Sequence, residues 1–223
     1  MATAASEATV LKDPYAVMEV VRAAIINGDF APNQRMVEAD LCEQFNASRS
    51  AVRGALQDLA NQGLIERIQN RGARVRAIGL AEAIEITEVR MVVEGLCAAK
   101  AAENVTASDT KELATIRSSM INAVDNGDVF GYSNLNQQLH RRVRQMSGQR
   151  SAQDILERLR GQLVRHQYKL AMHPGRMTVS LPEHIAIIDA VSAGQLAEAE
   201  AAMRTHLTSV IHALREVEAS RTR

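Results

Sequence analysis

The 223-residue sequence predicts a mostly α-helical protein in two unequal parts: a short helical segment closed by a small β-hairpin, then a longer all-helical bundle. Three observations carry that reading. Alanine is abundant while aromatic residues make up 3% and Trp is absent, a composition suited to helices packed through small side chains. Apolar residues recur at helical spacing from Pro14 to about Asn61, and again from about residue 80 to the end. Between those stretches lie two short alternating runs, "LIERIQ" and "ARVRAI", joined through "NRG", which has the turn chemistry of a hairpin. The length exceeds the about 100–150 residues usual for one domain. The expected organisation is a disordered tail over 1–12, a first domain over 13–78 and a second over 79–223.

Each element has a local reason. Residues 1–12 are small and polar without periodicity. Pro14 opens a helix running to about Gly28, with Val17, Val20, Val21, Ala24 and Ile25 on one face and "NGDFAPN" ending it. A short helix follows from about Glu38 to Phe45. Ser48 then stands as the N-cap of a third helix over 49–61, which Gly63 terminates. In the second half, breaks at "NVTAS", "NGD", "SGQRS", "HPGRMTVSLPE" and "SAGQL" place helices near 81–103, 107–126, 128–147, 151–172, 181–193 and 195–219. That is a bundle of six or seven helices.

Charge is distributed more tellingly than its sum. Basic and acidic residues number 26 each, for a net charge of zero. Between residues 49 and 76, however, six arginines (Arg49, Arg53, Arg67, Arg71, Arg74 and Arg76) face only Asp58 and Glu66, and six minus two leaves a local +4. All six histidines fall in the second half. No apolar run approaches the ~20 residues that cross a bilayer, and "MATAASEATVLKDP" lacks the basic-then-apolar order of a signal peptide. A cytoplasmic protein with no membrane partner is expected. Cys42 and Cys97 sit in apolar helical patterns with no CxxC pair, so free thiols are expected.

On a wheel at about 100° per residue, Arg49, Ser50, Arg53 and Gln57 of the third helix share one arc of about 100°. Val52, Ala55, Leu56 and Leu59 take the arc from about 240° to 340°. One face is thus committed to burial, and the other carries arginine forks able to bond a guanine edge or a phosphate. A short helix, a tight connection, an arginine-bearing helix and a hairpin stand in the order of a winged helix-turn-helix. The candidate DNA contacts are Ser48, Arg49, Ser50, Arg53 and Gln57, with Asn70, Arg71 and Gly72 at the hairpin tip.

The stretch "IINGDFAPNQRMVEADLCEQFNASRSAVRGALQDLANQGLIERIQNRGARV", residues 25 to 75, resembles the winged-helix domain of the GntR transcription regulators. Their pattern runs I-x-x-G-x-x-x-P-G, L-x-E-x-x-L-A, S-R-T-P-V-R-x-A-L, L-x-x-x-G-L-[VI], then a wing containing Gly. Asn33 replaces the Gly after Pro and Ala51 replaces the Pro of the third helix, and neither change removes a donor. The resemblance implies base or phosphate contacts from Arg49 and Arg53, and a minor-groove role for the wing at Gly72.

In the second half, Asn136 and His140 of "NLNQQLHRRV" lie at i and i+4, while His184 and His206 fall among the apolar positions of their helices. Three imidazoles plus an oxygen suit a divalent transition metal, zinc first, with nickel or manganese as alternatives. These residues resemble the FadR-like branch of the GntR regulators, whose all-helical FCD domain often holds a metal through D-x-x-x-H and two later histidines. "NQQLH" puts Asn136 in the Asp place, and "HIAIIDAVSAGQLAEAEAAMRTHL" supplies His184 and His206, 22 residues apart. "EVRMVVEGLCAAKAA" matches that branch's entry helix, with Arg90 and Glu94. The amide oxygen of Asn136 carries no charge, so the site should hold metal less tightly unless an anionic effector completes the shell. A small carboxylate is the natural effector, with Arg90, Arg144 and His166 as candidate second contacts.

The resulting expectation is a homodimeric, ligand-responsive regulator, a repressor before an activator, that binds a pseudo-palindromic double-stranded DNA operator. Two other readings compete: a DNA-binding regulator whose bundle only dimerises around structural histidines, and a metal-dependent hydrolase. Against the hydrolase, no HExxH is present and no carboxylate is placed as a general base.

Overall fold

A computed structural model describes residues 10–68 and 72–220. The chain divides into two compact units, one ending at Ile78 and one beginning at Gly79.

The first unit opens with α1 (Pro14–Asn27), whose N-terminus is closed by Asp13 accepting from the Tyr15 and Ala16 amides and whose end turns at Gly28. Val17, Met18, Val21 and Ala24 form its buried stripe. Leu11, which the sequence places in the tail, is instead held: it pairs with Ala47 and its backbone bonds Asn46 and Ser48. An apolar side chain near a buried core gains more from packing against it than a polar tail would. A two-residue strand β1 (Arg35–Met36) leads into α2 (Glu38–Gln44), followed by α3 (Arg49–Asn61). The Ser48 hydroxyl caps α3 by accepting from the Ala51 amide at 3.3 Å. Strands β2 (Ile65–Ile68) and β3 (Gly72–Val75) pair antiparallel, and β1 joins the other edge of β3 to give the order β1-β3-β2.

Two glycines of this unit are fixed by close approaches. Gly72 has φ 88°, and a Cβ there would sit 2.9 Å from the Met36 carbonyl oxygen across the β1–β3 pair. A Cβ at Gly54 in α3 would meet Pro14 Cβ at 2.8 Å, so the packing of α1 on α3 depends on that absence of side chain.

The second unit holds, among the described residues, seven helices: α4 (Leu80–Asn104), α5 (Ala107–Asp125), α6 (Val129–Met146), α7 (Arg150–Gln162), α8 (Val164–Ala171), α9 (Arg176–Ser192) and α10 (Leu196–Ala219). Two boundaries differ from the sequence reading. The stretch expected as one helix over 151–172 breaks at Leu163, which is fully buried and closes α7 while opening α8. Helix α9 begins at Arg176 and runs through Pro182, where the sequence places a loop to residue 181. Proline costs one hydrogen bond to the preceding turn there, and the Ser180 hydroxyl donates to the Arg176 carbonyl in that turn. Leu113, Met120, Leu139, Ile187, Val191 and Met203 lie at the centre of the bundle core. Cys42 is half-buried and Cys97 buried, and neither is bridged.

Candidate functional site

In the first unit, α3 buries Ala51, Val52, Ala55, Leu56 and Leu59 and leaves Arg49, Ser50, Arg53 and Gln57 exposed. Arg53 keeps 68% of its side chain in solvent while its Nε donates to Glu38 Oε2 on α2 at 2.8 Å. Gln57 accepts from Arg67 of β2 and donates to Asn61. The Ser48 hydroxyl lies 3.2 Å from that of Ser50. On the wing, Arg74 pairs with Glu66 at 2.5 Å. Asn70 and Arg71 lie outside the described residues, and Gly72 has a backbone role in the sheet. Glu38 was not legible as part of this surface, because its partner is 15 residues away on another helix.

In the second unit, α6 supplies His140, α9 His184 and α10 His206, all buried. One ring nitrogen from each lies within 4.8 Å of the other two. Their ring centroids are 5.8, 5.2 and 4.4 Å apart, pair by pair. Each Nδ1 is engaged from behind. His140 Nδ1 meets Glu94 Oε2 at 2.6 Å and His206 Nδ1 meets Glu183 Oε2 at 2.9 Å. His184 Nδ1 meets the Tyr132 hydroxyl at 2.8 Å, which in turn lies 2.8 Å from Ser180 Oγ. Ser180 donates its own proton to the Arg176 carbonyl, so Tyr132 donates to Ser180 and must accept from His184. A carboxylate can only accept, so all three imidazoles are Nδ1–H tautomers with Nε2 lone pairs free to act as ligands.

Burial keeps these rings neutral. It pushes His140 down to about 4 against the pull of Glu94, and it carries His184 well below and His206 below the usual imidazole range. Glu94, which burial alone would raise, is held well below the usual carboxylate range by Arg90 and His140. Because the folded-state value of His140 is lowered, the unfolded chain binds more protons between pH 6.5 and about 4, and stability falls as pH falls through that window. Metal-free protein is expected to lose about 3 kcal/mol between pH 7 and 4 from His140 alone, at ~1.4 kcal/mol per tenfold in proton affinity. Urea denaturation of chelated protein checks this, and a flat profile over that range would mean the ring is solvated.

Two atoms argue that the pocket is built around something. His184 Nε2 and Asn136 Oδ1 are both buried and have no hydrogen-bond partner among the described residues. A buried acceptor without a donor costs about 1–3 kcal/mol, and two in the lining of one cavity call for an occupant. Neutral imidazoles and an amide oxygen are the donor chemistry of a divalent transition metal, so the residues fit one. The surrounding cavity, about 90 Å³ in volume, is lined by Arg90, Arg160 and Arg176 as its cations. Arg144 and His166 are not among its lining residues, whereas Arg160 and Arg176, which the sequence did not single out, are. Tyr132 had a signal in the sequence, since it shares the α6 face of Asn136 and His140 at spacings of four and eight.

A winged helix with an exposed arginine strip, in one chain with a helical bundle around a histidine-lined cavity, defines a DNA-binding transcriptional regulator. Residues 15–75 match the gntR family of bacterial regulatory proteins and residues 85–209 match the FCD domain. The chain belongs to the gntR family and carries an FCD domain. It is 25% identical over 201 residues to the HTH-type transcriptional repressor RspR of Escherichia coli K12, covering 90% of this chain and 88% of that one. It is 28% identical over 208 residues to the HTH-type transcriptional regulator LutR of Bacillus subtilis, covering 83% and 94%. The solved structure of E. coli McbR/YncC superposes with a TM-score of 0.75 at 20% identity, covering 91% of this chain and 97% of that one, which is a likeness of fold. RspR and LutR are both named as HTH-type transcription regulators. No helix among the described residues is long and apolar enough to cross a membrane.

Proposed function

We propose that the protein is a homodimeric, metal-dependent repressor that reads a pseudo-palindromic operator and changes its DNA affinity when a small carboxylate enters the histidine cavity. The observation that carries the reading is the set of three Nε2 lone pairs, each backed by an engaged Nδ1, in one cavity lining with an unpartnered Asn136 oxygen. His140, His184, His206 and Asn136 would hold the ion, with zinc first among the candidates. A bound ion would supply a Lewis-acidic anchor for a carboxylate. The name of RspR as a repressor supports the sign of regulation.

The test uses full-length protein, a DNA site selected by it from a random pool, and metal analysis. Protein as purified should contain a transition metal, and a carboxylate that raises its melting temperature should weaken its DNA binding. A protein that holds no metal, and whose stability and DNA affinity ignore chelators, would overturn the reading.

DNA contact is expected to show in α3. Arg49→Ala and Arg53→Ala should each weaken binding to the selected site by about 1–3 kcal/mol and relax base preference. Glu38→Gln should release Arg53 from its pairing at 2.8 Å and alter base preference with little loss of non-specific binding. Gel-shift titrations at fixed salt against selected and scrambled DNA check all three, and equal losses on both DNAs would reassign the arginines to phosphates.

Dimerisation has a surface available. Val89, Val92 and Leu96 on α4 fall within an arc of about 60° and are 50%, 54% and 45% exposed. Val92→Glu is expected to give a monomer by sedimentation and to lower operator affinity by about 100-fold or more, because the second half-site no longer binds intramolecularly. An unchanged dimer would place the interface elsewhere.

A further inference from the structure

The charges around the cavity do not balance, and the imbalance has a location. Among the lining residues there is no Asp or Glu. Two of the three lining arginines are already matched: Arg90 pairs with Glu94 at 2.7 Å, and Arg176 with Glu183 at 3.4 Å. Each of those carboxylates is matched by its own arginine, and the neutral imidazoles that also donate to them leave that balance unchanged. Arg160 has no hydrogen bond or close ion pair for its guanidinium among the described residues. Arg144 leaves a buried Nη1 unpartnered, and Arg144, Arg90 and Arg141 act on Arg160 as like charges against the pull of Glu94. Burial together with those neighbours lowers Arg160 to about 10. A cation held against its own kind at the wall of a cavity is stabilised when an anion enters.

We propose that the effector is a small dicarboxylate, one carboxylate meeting the metal beside Asn136 and the second pairing with Arg160. This rests on the metal-anchored reading above. A divalent ion on four neutral donors brings +2 and Arg160 brings +1, so a single carboxylate leaves +2 in the cavity while two leave +1, with one anionic group on each cationic centre. Arg160 is a fork donor suited to a bidentate carboxylate, and Gln137 and Gln167 supply uncharged polar lining between apolar walls that include Leu170, Met177 and Leu207. The volume of about 90 Å³ selects compact acids.

The experiment is a calorimetric titration of zinc-loaded full-length protein with malonate, succinate, glutarate and adipate, each paired with the monocarboxylate of equal chain length. At least one dicarboxylate should bind about 30-fold or more tighter than its monocarboxylate partner. Arg160→Gln should erase that preference, bringing the dicarboxylate down to the monocarboxylate's affinity, with zinc content and monocarboxylate binding unchanged. Arg160→Lys keeps the charge without the fork and should retain part of the preference. Equal binding of both members of every pair, or a preference that survives in Arg160→Gln, would overturn the proposal while leaving the metal-anchored reading standing. Failure of the unsubstituted protein to retain zinc or to bind any carboxylate would overturn both.

Discussion

His184→Ala should leave the protein folded and unable to retain metal. The ring is 1% exposed and central to the cluster, 5.8 Å from His140 and 4.4 Å from His206 between ring centroids. Losing one of four donors should weaken the metal by well over the ~10–100-fold that loss of an outer-shell partner alone produces. Metal content after desalting should fall to background. The gain in stability on adding metal, about 4 kcal/mol at a thousandfold excess over Kd, should vanish with it. The metal-free variant should lose less than a buried imidazole's packing suggests, because the wild-type ring carries an unsatisfied Nε2. Asn136→Asp supplies a control with a sign that a structural role could not mimic. Without metal it puts an unpaired carboxylate into the cavity and should destabilise the protein; with metal it adds a charged ligand and should tighten binding tenfold or more, about 1.4 kcal/mol. Thermal melts with and without added zinc read both signs, and a variant that shifts in the same direction in both conditions would remove Asn136 from the metal site.

The parts of this molecule that the sequence shows are those written at short range. The two faces of α3 follow from a 100° step, and the wing from alternation broken by "NRG". The histidines stand out because His184 and His206 occupy positions that apolar residues should hold. Their supports are less visible because they act over distance: Glu94 and His140 are 46 residues apart, Tyr132 and His184 52, Glu183 and His206 23. Arg160 carries no local signal, since only the packing of α7 brings it to the cavity wall, whereas Arg144 and His166, the candidate second contacts, fall outside the lining. Strand β1 is two residues long, too short for any period, and exists because β3 offers it an edge. The segment "HPGRMTVSLPE" reads as a break, yet α9 already starts at Arg176, because the hydrogen bond that Pro182 forgoes is offset by the burial of Ser180, His184, Ile187 and Ile188 along the helix.

Glu94→Gln should be the most destabilising single change in the bundle. The carboxylate is 1% exposed, accepts from Arg90 at 2.7 Å and from His140 at 2.6 Å, and is the negative charge to which Arg144 and Arg160 also respond. Its amide replacement leaves Arg90 buried without a counter-ion, a loss of about 3–5 kcal/mol, or roughly 10 °C in the bundle's melting temperature at about 2–4 °C per kcal/mol. The same change should weaken metal binding by about 10–100-fold, because the single amide oxygen is drawn to the Arg90 cation and turns its NH2 towards His140 Nδ1, which favours the other tautomer. The double variant Arg90→Leu with Glu94→Leu separates the two effects. Removing both charges together replaces an ion pair with apolar packing and should recover most of the lost stability, while His140 remains without its acceptor and metal affinity stays low. If stability and metal affinity recover together, packing alone orients His140; if neither recovers, the buried charges hold the bundle together in a way that α4 cannot replace with side-chain volume.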